Sequence, residues 1–254
     1  MPTKIPLSVV IIAKNAASQI GALIDSVAFA GEVLVVDSGS EDATRAIADV
    51  RGCRVVENEW LGFGRQKQFA VNIAAFDWVL CLDVDERVSP ELAASIAATM
   101  ELPKYFAYRM PRRNRFFGQW LEHGEGYPDY SLRFFHRQHA SWSNDEVHET
   151  VITTADVGML SGDLMHDSAE DVTTYLAKQN RYSSLHAQAL FDQGVRAGYG
   201  KLLLSPLARF IKFYFLRLGF LDGGAGFAHV AIGCFAAFAK YAKLIELSKK
   251  SGQK

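Results

Sequence analysis

The run Val79-Leu80-Cys81-Leu82, followed at once by Asp83-Val84-Asp85-Glu86, constrains this chain more than any other stretch. An apolar run with no polar alternation reads as a strand buried on both faces, central in a parallel sheet. Carboxylates at its end emerge where open α/β sheets bind ligands, outside the carboxyl ends of the strands. Two aspartates two apart on an ideal strand share a face, and both can approach one hard cation. An ion held by one or two carboxylates can also bind substrate phosphates. The competing reading is a solvated acidic turn before the next helix.

The preceding 80 residues repeat the pattern. Leu7–Ala13 (LSVVIIA) is a first buried strand. A polar loop, Lys14–Ser18, leads to helical spacing over Gln19–Phe29. Glu32–Val36 is a second strand, ending in Asp37-Ser38-Gly39-Ser40-Glu41-Asp42. Ser40 is placed to N-cap the helix that follows, with acids in its first turn. Arg54–Val56 is a short third strand, and Gln66–Ala75 reads as a helix. Strands alternating with helices predict βαβ units and a mostly parallel sheet.

The chain has 254 residues, 49% of them hydrophobic, with net charge −1. That suits a packed α/β domain plus an appendage and excludes a disordered chain. The three cysteines (Cys53, Cys81, Cys234) have no metal spacing, and a reducing compartment is expected. No secretory leader pattern is visible at the N-terminus. Charge is unevenly spread: residues 1–195 hold 17 Lys and Arg against 26 Asp and Glu, whereas 196–254 hold ten against two. Such asymmetry predicts a basic tail that meets an anionic surface.

Taken in order, SVVIIAKN, VLVVDSGSEDAT, GFGRQKQFAVNIA and LCLDVDE resemble the family 2 nucleotide-sugar glycosyltransferases of the GT-A fold over residues 7–88. The resemblance implies a Rossmann-like sheet flanked by helices and a UDP-sugar donor. It implies that Asp37 contacts the base and that Asp83 contacts the ribose and metal side. Asp85 would be the main ligand of a divalent ion, Mg²⁺ or Mn²⁺. Lys67, Ser38 and the Ala13–Asn15 loop would line the same pocket. The chemistry agrees, because a cation at Asp85 stabilises charge building on the leaving diphosphate. The competing role for Asp37 is a helix-capping turn.

Further on, Arg112, Arg113 and Arg115 precede Phe116, Phe117 and Trp120. Arginines so clustered suit a phosphorylated or otherwise anionic acceptor; the alternative is a solvated loop with aromatic core residues. Nucleic acid is excluded by the acidity of the surrounding region. The pieces RRNRFFGQW, LRFF and VHE narrow the resemblance to bacterial lipopolysaccharide inner-core glycosyltransferases, which act on a heptose and commonly use UDP-glucose. An inverting transfer needs one general base near the acceptor hydroxyl. Asp129, in a Pro-Asp-Tyr turn, is the first candidate and Glu149 the second, with Asp145 and Glu146 behind them. His148 is a candidate metal or diphosphate contact.

The tail differs in kind. Ser168 and Asp171 resemble a capping box for a helix over 170–193. Leu202–Leu221 reads as an amphipathic helix broken at its start by Pro206, with Arg209, Lys212 and Arg217 within an arc of roughly 140°. Ala225–Ala239 is a second apolar run. About 20 apolar residues are needed to span a bilayer, so both segments are expected to lie in the interface with basic side chains on anionic headgroups. A helical cap or a dimer contact is the competing reading.

The expected organisation is a GT-A catalytic domain over 1–165 and a helical extension over 166–254. The expected function is metal-dependent transfer of a hexose to a lipid-linked oligosaccharide of the lipopolysaccharide core. It would take place in the cytoplasm, peripheral on the inner membrane. Rival readings are a polyprenyl-phosphate sugar synthase of the same fold and a lipid-binding adaptor with a dead transferase core. A nucleotidyltransferase would want a glycine-rich loop after the first strand, which Lys14–Ser18 lacks.

Overall fold

A computed structural model describes residues 4–143, 149–167 and 171–251. The chain divides into two compact units, Met1–Arg112 with Tyr130–Asp167, and Arg113–Asp129 with Ser168–Lys254.

The first unit opens with alternating elements: β1 (Ile5–Ala13), α1 (Ile20–Ser26), β2 (Ala30–Asp37), α2 (Thr44–Val50), β3 (Arg54–Glu57), α3 (Phe63–Ile73) and β4 (Trp78–Leu82). β1 pairs in parallel with both β2 and β4, and β2 with β3. All four apolar runs are therefore strands, as expected. Their side chains alternate between two buried layers. Val9, Ile11, Val35, Leu80 and Leu82 pack with Leu23 of α1 and with Leu92 and Ile96 further along the chain. Val10, Ile12, Leu34, Val36, Val79 and Cys81 pack with Ala70 and Val71 of α3. Burial on both faces removes the polar alternation that a half-exposed strand would carry.

The sheet then changes sense. After β5 (Glu86–Val88) and α4 (Pro90–Glu101) come β6 (Ala107–Phe116), β7 (Gln119–Trp120) and β8 (Asp129–His136). β8 runs antiparallel to β4, with Leu80 opposite Phe134. The remaining strands are β9 (Ala140–Trp142), β10 (Val151–Thr153), β11 (Val157–Met159) and β12 (Leu164–His166). The order is β3-β2-β1-β4-β8-β6-β12-β5, a mixed sheet with a parallel half. Ser89 caps α4 by accepting from the Leu92 N–H, and Pro90 fills the first helical position, where no N–H is required.

The second unit is stitched by a buried acid. Asp222 accepts from the backbone N–H groups of Glu122 (3.2 Å) and His123 (2.9 Å), and lies 3.0 Å from His123 Nδ1. α5 (Val172–Asp192) is capped by Asp171, whose carboxylate accepts from the Thr174 N–H at 2.7 Å. Ser168, the other half of the expected capping box, lies outside the described residues.

The tail departs from its expectation. α6 spans Tyr199–Phe210 with Pro206 inside it, and a π-helical turn follows over Ile211–Leu216. Proline therefore does not break the helix at its start. A 3₁₀ turn, Gly219–Asp222, leads into α7 (Gly223–Ser251), which runs unbroken through Lys240–Lys243 rather than stopping at Ala239. α7 can press on the preceding turn because position 226 is glycine: a Cβ there would sit 2.2 Å from the Gly219 carbonyl oxygen. No helix among the described residues is long and apolar enough to cross a membrane.

The basic side chains of the tail also turn inward. Arg209 Nε donates to Glu125 at 3.1 Å, and Arg217 donates to the Tyr127 and Pro128 carbonyls at 3.1 and 3.2 Å. Beside the exposed lysines Lys201 and Lys212, the tail exposes apolar side chains: Leu203, Leu204, Leu207, Ile211, Phe215, Leu216 and, on α7, Phe227, Phe235 and Phe238.

Candidate active site

The loops after β1 and β2 are bound to each other at the carboxyl edge of the parallel half. Asp37, fully buried, accepts from the N–H groups of Gly39 (3.1 Å) and Ser40 (2.8 Å) and from the Ser40 hydroxyl. Gly39 adopts φ +81° at the turn, a conformation glycine holds without strain. The Ser40 oxygen in turn accepts from the Asn15 N–H at 2.9 Å, and Asn15 Oδ1 accepts from Glu41 N–H at 2.9 Å. Ser40 is thus not the helix cap expected of it. Its hydroxyl is committed to Asp37 and Asn15, and α2 begins four residues later, where Asp42 accepts from Thr44 N–H. Ser38 donates its N–H to the Ala13 carbonyl and accepts from Gln66 Nε2 at 3.0 Å.

The Asp-x-Asp segment is not extended. β4 ends at Leu82, and a turn closes as Glu86 N–H donates to the Asp83 carbonyl at 3.0 Å. The buried Glu86 carboxylate accepts the Asp83 N–H at 2.9 Å. The expectation that both aspartates share one strand face is corrected accordingly. Asp83 lies 2.8 Å from Lys67 Nζ and 2.6 Å from Arg133 Nη2. Asp85 instead meets His166 Nε2 at 3.2 Å. Burial pushes the Asp83 carboxyl up, but Arg133 and Lys67 outweigh it and hold the acid well below the usual carboxylate range. Burial also raises Asp85, and the hydrogen bond and charge of His166 bring it below its ordinary value. Both carboxylates are therefore ionised at neutral pH.

Lys67 is buried and shared. Its Nζ also donates to Glu149 at 3.0 Å and lies 4.8 Å from the centroid of the Trp142 ring. Arg133 lies over the same ring at 5.4 Å, and its Nε is buried with no hydrogen-bond partner among the described residues. At the ring's edge, the Cys81 thiol accepts from Trp142 Nε1 at 3.3 Å, and burial pushes this thiol up to about 12.

The remaining expected residues fall into place separately. Arg112 lies 3.5 Å from Glu86. Arg113 stacks over Tyr127 at 4.9 Å and faces Glu122 at 3.8 Å; Arg115 donates to the Gly118 carbonyl and lies 5.8 Å from the Trp120 ring. Asp129 opens β8 directly after a cis Tyr127–Pro128 peptide. Asp145, Glu146 and His148 lie outside the described residues.

The profile of the Glycosyl transferase family 2 matches residues 8–154, from the start of β1 to just past β10. The chain belongs to glycosyl transferase family 2. A GT-A fold follows, and with it the assignment as a glycosyltransferase. An uncharacterized glycosyltransferase of Rickettsia typhi is 33% identical over 96% of this chain and 88% of its own length. A lipopolysaccharide core biosynthesis glycosyltransferase of Rhizobium meliloti is 29% identical over 97% of this chain and 94% of its own. Among solved structures, glucosyl-3-phosphoglycerate synthase of Mycobacterium tuberculosis matches at TM-score 0.37 and 24% identity, over 43% of this chain and 44% of that one. The chain thus spans less than half the length of that structure.

Three residues of this candidate site carry no signal that the sequence reading used. Arg133 sits inside LRFF, where its aromatic neighbours mark only a strand. Gln66 is a buried polar residue of α3, and its place beside Lys67 was the available signal. His166 reaches Asp85 through the β12–β5 pairing, with His166 opposite Glu86. No local spacing reveals it.

Proposed function

We propose that this glycosyltransferase moves a hexose, glucose from UDP-glucose, onto a heptose of the lipopolysaccharide inner core by an inverting, metal-dependent reaction. The observation that carries this reading is the ionised Asp83–Asp85 pair at the end of β4, each aspartate with its own basic partner. The Rhizobium meliloti relative, a lipopolysaccharide core biosynthesis glycosyltransferase, supports the acceptor class.

Among the described residues no cluster of three or more metal-binding side chains forms. Asp85 and His166 still offer one carboxylate and one imidazole, a set that suits Mn²⁺ or Mg²⁺ when diphosphate oxygens complete the shell. A cation held there would supply Lewis-acid stabilisation of the departing diphosphate. The protein's own groups do the rest. Asp37 and Ser38 hold the nucleoside at the β2 end, within the turn that Asn15 braces. Asp83, fixed by Lys67 and Arg133, accepts donor hydroxyls. Asp129 takes the proton of the acceptor hydroxyl as it attacks the anomeric carbon. Glu149 is second choice for that step because Lys67 already holds its carboxylate. Arg112, Arg113, Arg115 and Trp120 would meet the anionic acceptor.

The exposed apolar side chains of α6, the π turn and α7 suit a bilayer surface, and the absence of a spanning helix among the described residues suits in-plane docking. The lipid-linked acceptor would be met there, on the cytoplasmic leaflet.

Thermal stability against UDP-, GDP-, ADP- and CMP-sugars, with and without Mn²⁺, tests the donor. A metal-requiring shift with UDP-sugars is expected; no shift with any nucleotide overturns the reading. Asp85→Ala should keep the fold and lose turnover and the metal-dependent shift. Asp129→Asn should bind UDP as the wild type does and transfer nothing; wild-type turnover would move the base to Glu149. Product analysis separates a core oligosaccharide from the sugar-polyprenyl phosphate that a synthase of the same fold would make.

A further inference from the structure

The loop between β3 and α3 shows a cluster that the donor site as described does not use. Trp60, Leu61 and Phe63 are each about half exposed, at 49%, 46% and 51%. The rings of Trp60 and Phe63 meet edge to face with centroids 4.8 Å apart. Large apolar side chains standing in solvent at a ligand-binding edge invite an occupant.

This loop is tied to the nucleoside end of the site. Glu57 lies opposite Asp37 in the β2–β3 register, and the next residue, Asn58, donates its N–H to the Asp37 carbonyl at 3.0 Å. Asn58 Nδ2 donates to Gln66 Oε1 at 3.0 Å, and Gln66 Nε2 donates to Ser38 Oγ at 3.0 Å. Gly62, at φ +93°, turns the chain into α3. The aromatic pair is therefore carried on a loop whose two ends are latched to Asp37 and Ser38.

Strand order says which part of a ligand lies there. The order β3-β2-β1-β4 puts β3 three strand spacings, about 14 Å, from the Asp-x-Asp turn. A nucleoside diphosphate whose diphosphate lies at β4 and whose nucleoside lies at β2 extends its base toward β3. The acceptor would approach from the other side, where β8 follows β4. The part of the donor at this end is the base, and a flat aromatic base stacks on an indole face.

We propose that Trp60, buttressed by Phe63, is a binding residue that stacks on the nucleobase of the donor. The proposal rests on the nucleotide-sugar reading above and adds to it the residue that covers the base.

The test follows uridine diphosphate with Mg²⁺ into the full-length protein by calorimetry and by tryptophan emission in parallel. Trp60 is one of four tryptophans, so Trp60→Phe serves as the optical control. Wild type should show a saturable emission change with the calorimetric affinity, and Mg²⁺ with pyrophosphate should show none. Trp60→Phe should keep the affinity within about threefold while losing most of that change. Trp60→Ala should weaken binding by about tenfold, with the circular dichroism spectrum unaltered. Wild-type affinity in Trp60→Ala, or an undiminished emission change in Trp60→Phe, overturns this proposal and leaves the donor site standing. Failure of the wild type to bind any nucleotide overturns both. A blue shift of Trp60 emission on phosphatidylcholine vesicles, with none on nucleotide, overturns it in favour of a lipid contact.

Discussion

Arg133 shows how much of this site depends on charges held out of water. Its guanidinium is buried against Asp83 and Glu86 and lies over Trp142. Burial alone would lower its pKa, and the two carboxylates reverse that and raise it. Removing one member of such a group strands the others, which costs more than the group itself contributes. Arg133→Met should lower stability by about 3 kcal/mol or more, measured by urea denaturation. In the same variant the Asp83 carboxyl should move up toward ordinary values, measurable by NMR titration. The aspartates were legible in the sequence because acids directly after an apolar run have few explanations. Their partners were not. Lys67 was visible as a basic residue near the site, but its sharing between Asp83 and Glu149 joins residues 82 positions apart. The turn at Asp83–Glu86 was hidden because Glu86 reads as a third exposed acid, whereas it is buried and closes the turn.

At the scale of elements, legibility follows burial. β1, β2 and β4 lie between two layers of side chains and leave unbroken apolar runs, so their existence was clear. Beyond β4, β5 and β9 to β12 are only three residues long each, and pairing is set by partners distant in sequence, as with β12 and β5. α7 was read only as far as Ala239 because Lys240 and Lys243 interrupt its apolar run; the helix continues since those lysines lie on its surface and Lys243 reaches Asn180 and Ser183 of α5. Where α7 packs on α5, His229 lies 3.2 Å from the Tyr175 hydroxyl and edge-on to Phe116. Burial, with Arg209 nearby, lowers its pKa to about 4 from 6.5. The folded chain resists this protonation and the unfolded chain does not. This group's contribution to stability is therefore constant above about pH 6.5 and falls as pH drops from there toward 4, by about 3 kcal/mol. His229→Gln should flatten that part of the pH–stability curve, measured by urea titrations at successive pH values.

For the molecule as a whole, part of the tail's positive charge is spent inside its own unit. Residues 196–254 are strongly basic, yet Arg209, Arg217, Lys243, Lys249 and Lys250 all have partners within their own unit. The surface that remains carries exposed leucine, isoleucine and phenylalanine side chains, with Lys201 and Lys212 among them. On the membrane-docking reading, attachment should come from buried apolar area more than from attraction to anionic lipid. Cosedimentation with neutral phosphatidylcholine vesicles should persist when salt is raised from about 0.1 M to about 0.5 M, where exposed charge pairs are screened. The pair Leu204→Glu and Leu207→Glu, both on the exposed face of α6, should abolish it without changing the melting temperature by more than a few degrees. Binding that vanishes with salt would return the interaction to the lysines.

Cys81 gives this architecture a built-in reporter. Its thiol is buried at the edge of the Trp142 ring on which Lys67 and Arg133 rest, and at neutral pH it is almost wholly in the unreactive protonated form. An alkylating reagent can reach it only when that layer lifts. The rate at which Cys81 is labelled is then a clock for the opening of the Asp83 platform, and anything that steadies the platform slows the clock.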